Sequence, residues 1–182
     1  LKRKNFVDYK KYKGATLTDK GKETGMRVTK KHRLAERLLC DVLGRELPSV
    51  HEEACKLEHS ISDETAREIS RVLENPRTCP HGQPIPEEGE ESREELMKLT
   101  EGEEGEKYEV RTIPEEKEDI QRLLPLGILP GTEIELIDNP SFSALMINRG
   151  GDKLALSRGI ASKIMVEKYG KKKHRHRYRS SR

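Results

Sequence analysis

The stretch Lys30–Gly44, KKHRLAERLLCDVLG, followed after a short link by Val50–Ile61, VHEEACKLEHSI, decides how the rest of the chain is read. In the first stretch Leu34, Leu38, Leu39, Val42 and Leu43 recur at helical spacing, and Gly44 is the kind of residue that ends a helix. In the second, Val50, Ala54, Leu57 and Ile61 form one apolar stripe at steps of four, three and four. Both therefore read as amphipathic helices. Beside the second stripe, His51, Cys55, Glu58 and His59 fall at i, i+4, i+7 and i+8 and project from one flank. The first helix adds His32 and Glu36 at i, i+4. Imidazole, thiol and carboxylate together suit a borderline transition ion rather than calcium or magnesium, which favour oxygen alone. For one helix a solvated polar flank is the better explanation of such residues; with two helices that both offer histidine and carboxylate, a metal role weighs evenly against it.

Upstream, Phe6 to Tyr9, the turn KKYKG and Ala15 to Leu17 read as a small β-hairpin, with Thr18 and Asp19 as N-cap oxygens for the first helix. Downstream, a third helix starts at Ser62 and Asp63, uses Ile69, Val72 and Leu73, and stops at Asn75 and Pro76. The loop RTCPHGQPIP follows, with three prolines in ten residues. Residues 87 to 106 hold ten Glu and read as a linker. Beyond it, YEVRTI, ILPGTEIELID, SALMIN, KLALS and IASKIMV are short apolar strands between Gly and Pro turns, with one helix in PEEKEDIQRLLPLG. That texture suggests a small barrel.

Composition narrows the function. Of 182 residues 32% are hydrophobic and 38% charged, without Trp, so two modest cores are expected rather than one large one. No run approaches the roughly 18 apolar residues of a membrane helix, and the N-terminus lacks a signal-peptide core; the expectation is a cytoplasmic protein that touches no membrane. Cys40, Cys55 and Cys79 are too few and too far apart for a disulfide framework or a zinc finger. The net charge of +3 conceals a partition: +9 over residues 1 to 37, −14 over 38 to 167 and +8 over 168 to 182. Clustered Lys and Arg at both ends fit a polyanion. A Cys–His nucleophile pair at Cys55 and His59 lacks an oxyanion-type loop, so no enzyme and no small-molecule substrate is expected.

The run KKHRLAERLLCDVLG, VHEEACKLEHSIS and the loop CPHGQPIP resemble the dimerisation and metal-binding domain of the diphtheria-toxin-repressor family, the iron- and manganese-dependent transcriptional repressors. The stretches RLLPLGILPGTEIELI and RGGDKLALSRGIASKIMV are similar to the SH3-like barrel that those repressors share with the ferrous-iron transport protein A. Residue by residue, the resemblance implies a primary site at Cys55, Glu58 and His59. It implies an ancillary site at His32, Glu36 and His51, with Glu116 and Asp119 of PEEKEDI as further ligands. Cys55, where the manganese-selective branch carries Glu, points to Fe(II), with Mn(II) or another divalent transition metal as the alternative.

Family members begin with a winged helix-turn-helix, and relative to that pattern this chain starts at the tail of the reading helix. The groove-reading helix and one primary ligand are thus expected to be missing. Lys10, Lys11 and Lys13 of the hairpin would then meet DNA backbone as a wing. The expected fold is α+β: a wing remnant over 1–18, a helical dimerisation and metal-binding domain over 19–86, an acidic linker over 87–106, an SH3-like barrel over 107–167, and a disordered basic tail over 168–182. The expected function is a homodimeric, Fe(II)-dependent repressor of iron-uptake genes that binds operator DNA. A metal-sensing dimer without specific DNA binding is the first alternative, and a metalloenzyme the second.

Overall fold

The computed structural model describes residues 5–12, 14–87 and 96–170. Helices and strands mix, and the chain divides into two compact units: Leu1–Glu94 with Thr112–Pro130, and Glu95–Arg111 with Gly131–Arg182.

The first unit opens on an antiparallel hairpin of β1 (Val7–Lys10) and β2 (Gly14–Leu17), with Val7 opposite Leu17. Thr18 then caps α1 (Asp19–Arg37), its side chain accepting from the Gly21 amide, while its own amide donates to the Phe6 carbonyl at 3.1 Å. That carbonyl lies so close to α1 that a Cβ on Gly21 would stand 2.0 Å from its oxygen. Only glycine lets hairpin and helix meet here.

The expected continuous helix to Leu43 changes character at Leu38–Val42, where it widens into a π turn: the Leu43 amide reaches back five residues to the Leu38 carbonyl at 3.1 Å. Gly44, at φ +64°, lets the Arg45 amide close the end on Leu39. Helix α2 (Leu47–Leu57) starts with Pro48 in its first turn, where a missing N–H costs nothing. It stops before Glu58, so His59 stands beyond the helix rather than on its flank. Helix α3 (Asp63–Val72) is capped by the Ser62 side chain. Two small clusters close the unit. One joins Ala35 of α1 and Leu39 of the π turn to Val50 and Ala54 of α2; the other joins Leu34, Ala66 and Ile85. Val42, Leu43, Leu57 and Val72, read as core-facing from their spacing, are exposed in the single chain.

The second unit is a six-stranded sheet in the order β3-β8-β4-β5-β6-β7, formed by β3 (Met97–Lys98), β4 (Lys107–Thr112), β5 (Glu133–Asp138), β6 (Leu145–Arg149), β7 (Asp152–Leu156) and β8 (Met165–Lys168). Period-two burial puts Tyr108 and Val110, Ile134 and Leu136, and Leu145 and Ile147 inward. The expected turn RGGD joins β6 to β7, with Arg149 opposite Asp152 and both glycines at positive φ.

Three boundaries differ from those drawn on composition. Although 87–106 is Glu-rich, Met97–Lys98 pairs with β8 and Leu99 is fully buried, so folded chain begins inside the expected linker. Lys168 closes β8 rather than opening a tail, its ammonium held by Glu103 and Glu106; the tail from 171 onward lies outside the described residues. The segment Thr112–Pro130, which includes α4 (Lys117–Leu123), was counted with the barrel but clusters with the helical unit, where Ile120 and Leu123 are buried.

Candidate metal centre

Helix α1 sets two ligands one turn apart, and packing against α2 brings a third to them. His32 Nε2 lies 3.1 Å from Glu36 Oε1 and 3.2 Å from His51 Nδ1, while His51 Nδ1 lies 3.3 Å from the same Glu36 oxygen. The other ring nitrogen of His32 meets Glu58 Oε2 at 2.8 Å. On the far side of His51, Nε2 faces the Cys55 sulfur at 3.9 Å. His32, His51 and Cys55 thus form one group whose ligand atoms all lie within 4.8 Å of one another.

A second group lies deeper: Glu36, Cys79, His81 and Glu115, again within 4.8 Å. Cys79 and His81 come from the proline-rich loop, which is braced by hydrogen bonds despite its lack of regular structure. The Cys79 amide donates to the Gln83 carbonyl at 2.8 Å, the Gly82 amide to Cys79 at 2.9 Å, and the Ile85 amide to Arg77 at 2.8 Å. From α1, Arg37 Nε donates to the Thr78 carbonyl at 2.8 Å and Arg33 to the Pro84 carbonyl. From the segment ahead of α4, the Ile113 amide donates to the His81 carbonyl at 3.0 Å, and two residues on Glu115 stands 3.5 Å from His51 Nδ1.

Electrostatics at the centre are dominated by Glu36, whose side chain is wholly buried. Burial alone would raise its pKa, but hydrogen bonds from the His32 and His81 imidazoles outweigh it and hold the carboxyl well below the usual range. For His32, burial favours the neutral ring, yet Glu36 and Glu58 on its two nitrogens push its pKa up. Burial, then the Glu36 charge, pushes the Cys79 thiol far up. Of the three buried side-chain atoms without a partner among the described residues, two lie at this centre: Glu36 Oε2 and His81 Nε2. An orphaned buried polar atom costs about 1–3 kcal/mol. The thiol, imidazole and carboxylate donors around them are those of a transition ion.

Of the ligands expected from the sequence, His32, Glu36, His51, Cys55 and Glu58 come together. His59 touches only the other Glu58 oxygen, at 3.2 Å, and its side chain is 74% exposed, because α2 has already ended. Glu115 occupies the place foreseen for Glu116 and Asp119; Glu116 serves as N-cap of α4 and Asp119 lies in its first turn. Cys79 and His81 were not read as ligands, although both stand in the loop that carried the resemblance. At the hairpin, Lys10 and Lys11 are exposed, with the Lys11 ammonium 5.1 Å from the centre of the Tyr12 ring; Lys13 lies outside the described residues.

Residues 18–87 match the iron dependent repressor, metal binding and dimerisation domain, and residues 97–168 the FeoA domain. The iron-dependent repressor IdeR of Mycobacterium leprae is 35% identical over 166 residues, covering 84% of this chain and 72% of the relative. The chain belongs to the diphtheria toxin repressor family of metal-dependent transcriptional repressors. Another family member, the diphtheria toxin repressor of Corynebacterium glutamicum, is 31% identical over 180 residues, covering 92% of this chain and 78% of that protein. Among solved structures, a manganese-dependent transcriptional repressor in complex with manganese superposes with a TM-score of 0.85 at 26% identity, over 92% of this chain and 80% of that one. These relatives are repressors rather than enzymes. No helix among the described residues is long and apolar enough to cross a membrane.

Proposed function

We propose that this chain senses Fe(II) and passes its occupancy to operator DNA as one half of a homodimeric repressor. What supports this most is the buried thiol, imidazole and carboxylate cluster that joins α1, α2 and the proline-rich loop and leaves Glu36 Oε2 and His81 Nε2 unpartnered. The residues that would hold metal are Cys55, Glu58, His59, His32, Glu36 and His51, with Glu115, Cys79 and His81 beside them. Two thiols in the set favour Fe(II) over the harder Mn(II). The ion supplies positive charge that neutralises the buried carboxylates.

The chain's own residues supply the coupling. His32 and Glu36 lie on the helix that receives the hairpin at Gly21, so whatever fixes α1 against α2 and the loop also fixes the hairpin. Lys10, Lys11 and Lys13 then act as a wing against phosphate. In this reading residues 1–18 contribute a wing, 19–86 the sensing and dimerising domain, and 107–167 an SH3-like barrel. Exposed Val42, Leu43, Leu57 and Val72 are the apolar surface a second copy would cover.

The test is metal-dependent association. Sedimentation with and without Fe(II), together with a gel shift on operator DNA at about 0.15 M salt, where non-specific contacts are weak, should show a dimer and metal-dependent binding. A chain that ignores Fe(II) in both measurements overturns the reading, and a dimer that binds Fe(II) but not DNA leaves the sensing half alone.

A further inference from the structure

We propose that the outer face of β4 and β5 is the docking surface for this chain's own basic tail, residues 171–182, which it holds back from other polyanions. Docking of this kind needs no metal and stands whether or not the chain senses Fe(II).

The face is predominantly acidic. In the register of β4 against β5, Lys107 stands opposite Glu135 and Glu109 opposite Glu133, on the side away from buried Tyr108, Val110, Ile134 and Leu136. Like charges directly opposite each other destabilise a sheet. Arg111 lies 2.8 Å from Glu109 but is shared with Glu167 of β8 at 3.7 Å. The segment leading into β4 adds Glu103, Glu104 and Glu106.

The last described residues already bind there. The Lys168 ammonium lies 3.0 Å from Glu106 and 3.4 Å from Glu103. The Tyr169 amide donates to the Lys107 carbonyl at 2.8 Å, and its phenol donates to the Glu133 carboxylate. That hydrogen bond, then the charge of Glu133 and last that of Glu109, hold the pKa of the phenol up. A cation and a phenol of this chain are thus seated on the face at the point where the tail begins.

The tail repeats their chemistry. KKKHRHRYRSSR carries seven Lys or Arg, one Tyr and no acid. Its twelve residues reach about 40 Å when extended, against about 20 Å for a six-residue strand, so length does not limit contact. Exposed ion pairs are individually weak, but a short tether holds the tail at an effective concentration of about a millimolar, where several pairs together suffice. Carboxylates on the face and phosphates elsewhere then compete for the same lysines and arginines.

Backbone amide spectra of the full, metal-free chain test the contact. In the triple variant Glu109→Gln, Glu133→Gln, Glu135→Gln the signals of residues 175–179 should move, although these are far from the substitutions in sequence. Salt at about 0.5 M should move the signals of the unaltered chain in the same direction, because exposed charges are then screened. Affinity for duplex DNA of arbitrary sequence, read by fluorescence anisotropy at low salt, tests the competition. The triple variant should bind about tenfold tighter than the unaltered chain, whereas Glu64→Gln, Glu68→Gln, Glu118→Gln, which removes as much charge from other exposed positions, should gain less than about twofold. Tail signals that the triple substitution leaves in place, or equal gains in the two variants, would overturn the docking. Tail signals that change on dilution would put the tail on a second copy and overturn docking within one chain. If the triple variant does not fold, the salt titration decides against the free 171–182 peptide as reference, and equal responses of chain and peptide would overturn the docking.

Discussion

Arg37 Nε donates to the carbonyl of Thr78 at 2.8 Å, which ties the residue after Glu36 to the residue before Cys79. One side chain thereby fixes the spacing between helix and loop. The Arg37 guanidinium also reaches Asp41 at 3.2 Å, inside the π turn, so the clamp is itself held.

Arg37→Ala should weaken metal binding without removing a ligand. Hydrogen bonds from charged donors contribute about 1.5–3 kcal/mol; part of that should appear as a roughly tenfold loss of affinity, about 1.4 kcal/mol, and the rest as a lower unfolding temperature of the metal-free chain. Competition against a chelator measures the first and thermal melting the second. Unchanged affinity in a folded variant would mean that the loop holds its shape through its own hydrogen bonds.

Metal-free stability should peak in mildly acidic solution. The folded-state pKa of Glu36 is lowered from its ordinary 4.5 by the imidazoles around it, so its contribution is present above that value and fades as pH falls. The pKa of His32 is raised above its ordinary 6.5, so its contribution is complete below 6.5 and fades as pH rises through the raised value. Thermal midpoints should therefore fall from pH 6 to pH 8.5, and fall less in His32→Gln. Parallel profiles in the two proteins would dismiss His32 as the source.

How far the sequence discloses this centre depends on how each ligand is carried. His32, Glu36, His51, Cys55 and Glu58 are legible because a helix converts spacing into direction, and steps of four or seven survive folding unchanged. His59 differs from them. Its i+8 position is meaningful only while α2 continues, and the helix stops at Leu57. Cys79 and His81 sit in a loop whose shape comes from hydrogen bonds to α1 and to Ile113, partners distant in sequence, so spacing says nothing about their aim. The strands were readable as alternation bounded by glycine turns. The buried Leu99 inside the Glu-rich stretch was not, because composition averages over single residues. The exposed Val42, Leu43 and Val72 show the converse: a helical period marks an apolar face but not which chain covers it.

Gly21 and Gly25 make a matched pair on α1. Gly21→Ala should detach the hairpin, since the new Cβ would stand 2.0 Å from the Phe6 carbonyl oxygen, and the bond from the Thr18 amide to that carbonyl should open. Gly25 meets nothing within 4 Å, so Gly25→Ala should stabilise the helix by about 0.5–1 kcal/mol. Amide exchange at Thr18 reads the first and denaturant unfolding the second. Equal protection of Thr18 in Gly21→Ala and the unaltered chain would refute the close approach.

The carboxylates ahead of α4 separate what the family resemblance implies from what packing does. Glu115 belongs to the buried group with Glu36, Cys79 and His81 and lies 3.5 Å from His51, whereas Glu116 serves as the N-cap residue of α4. Glu115→Gln preserves size and removes a charged donor, so it should weaken metal binding at least tenfold, about 1.4 kcal/mol, while Glu116→Gln should change affinity little. The helix sets the sign of any residual effect: a negative charge at the start of α4 is favoured by the helix dipole, by about 0.3–1 kcal/mol, so Glu116→Gln should cost some thermal stability instead. Calorimetric titration with Co(II), which also reports thiolate ligation through its charge-transfer absorption, compares the two variants on one scale. A larger affinity loss in Glu116→Gln than in Glu115→Gln would mean that Glu116 replaces Glu115 when metal binds, and would return the ligand to the position the family resemblance implies.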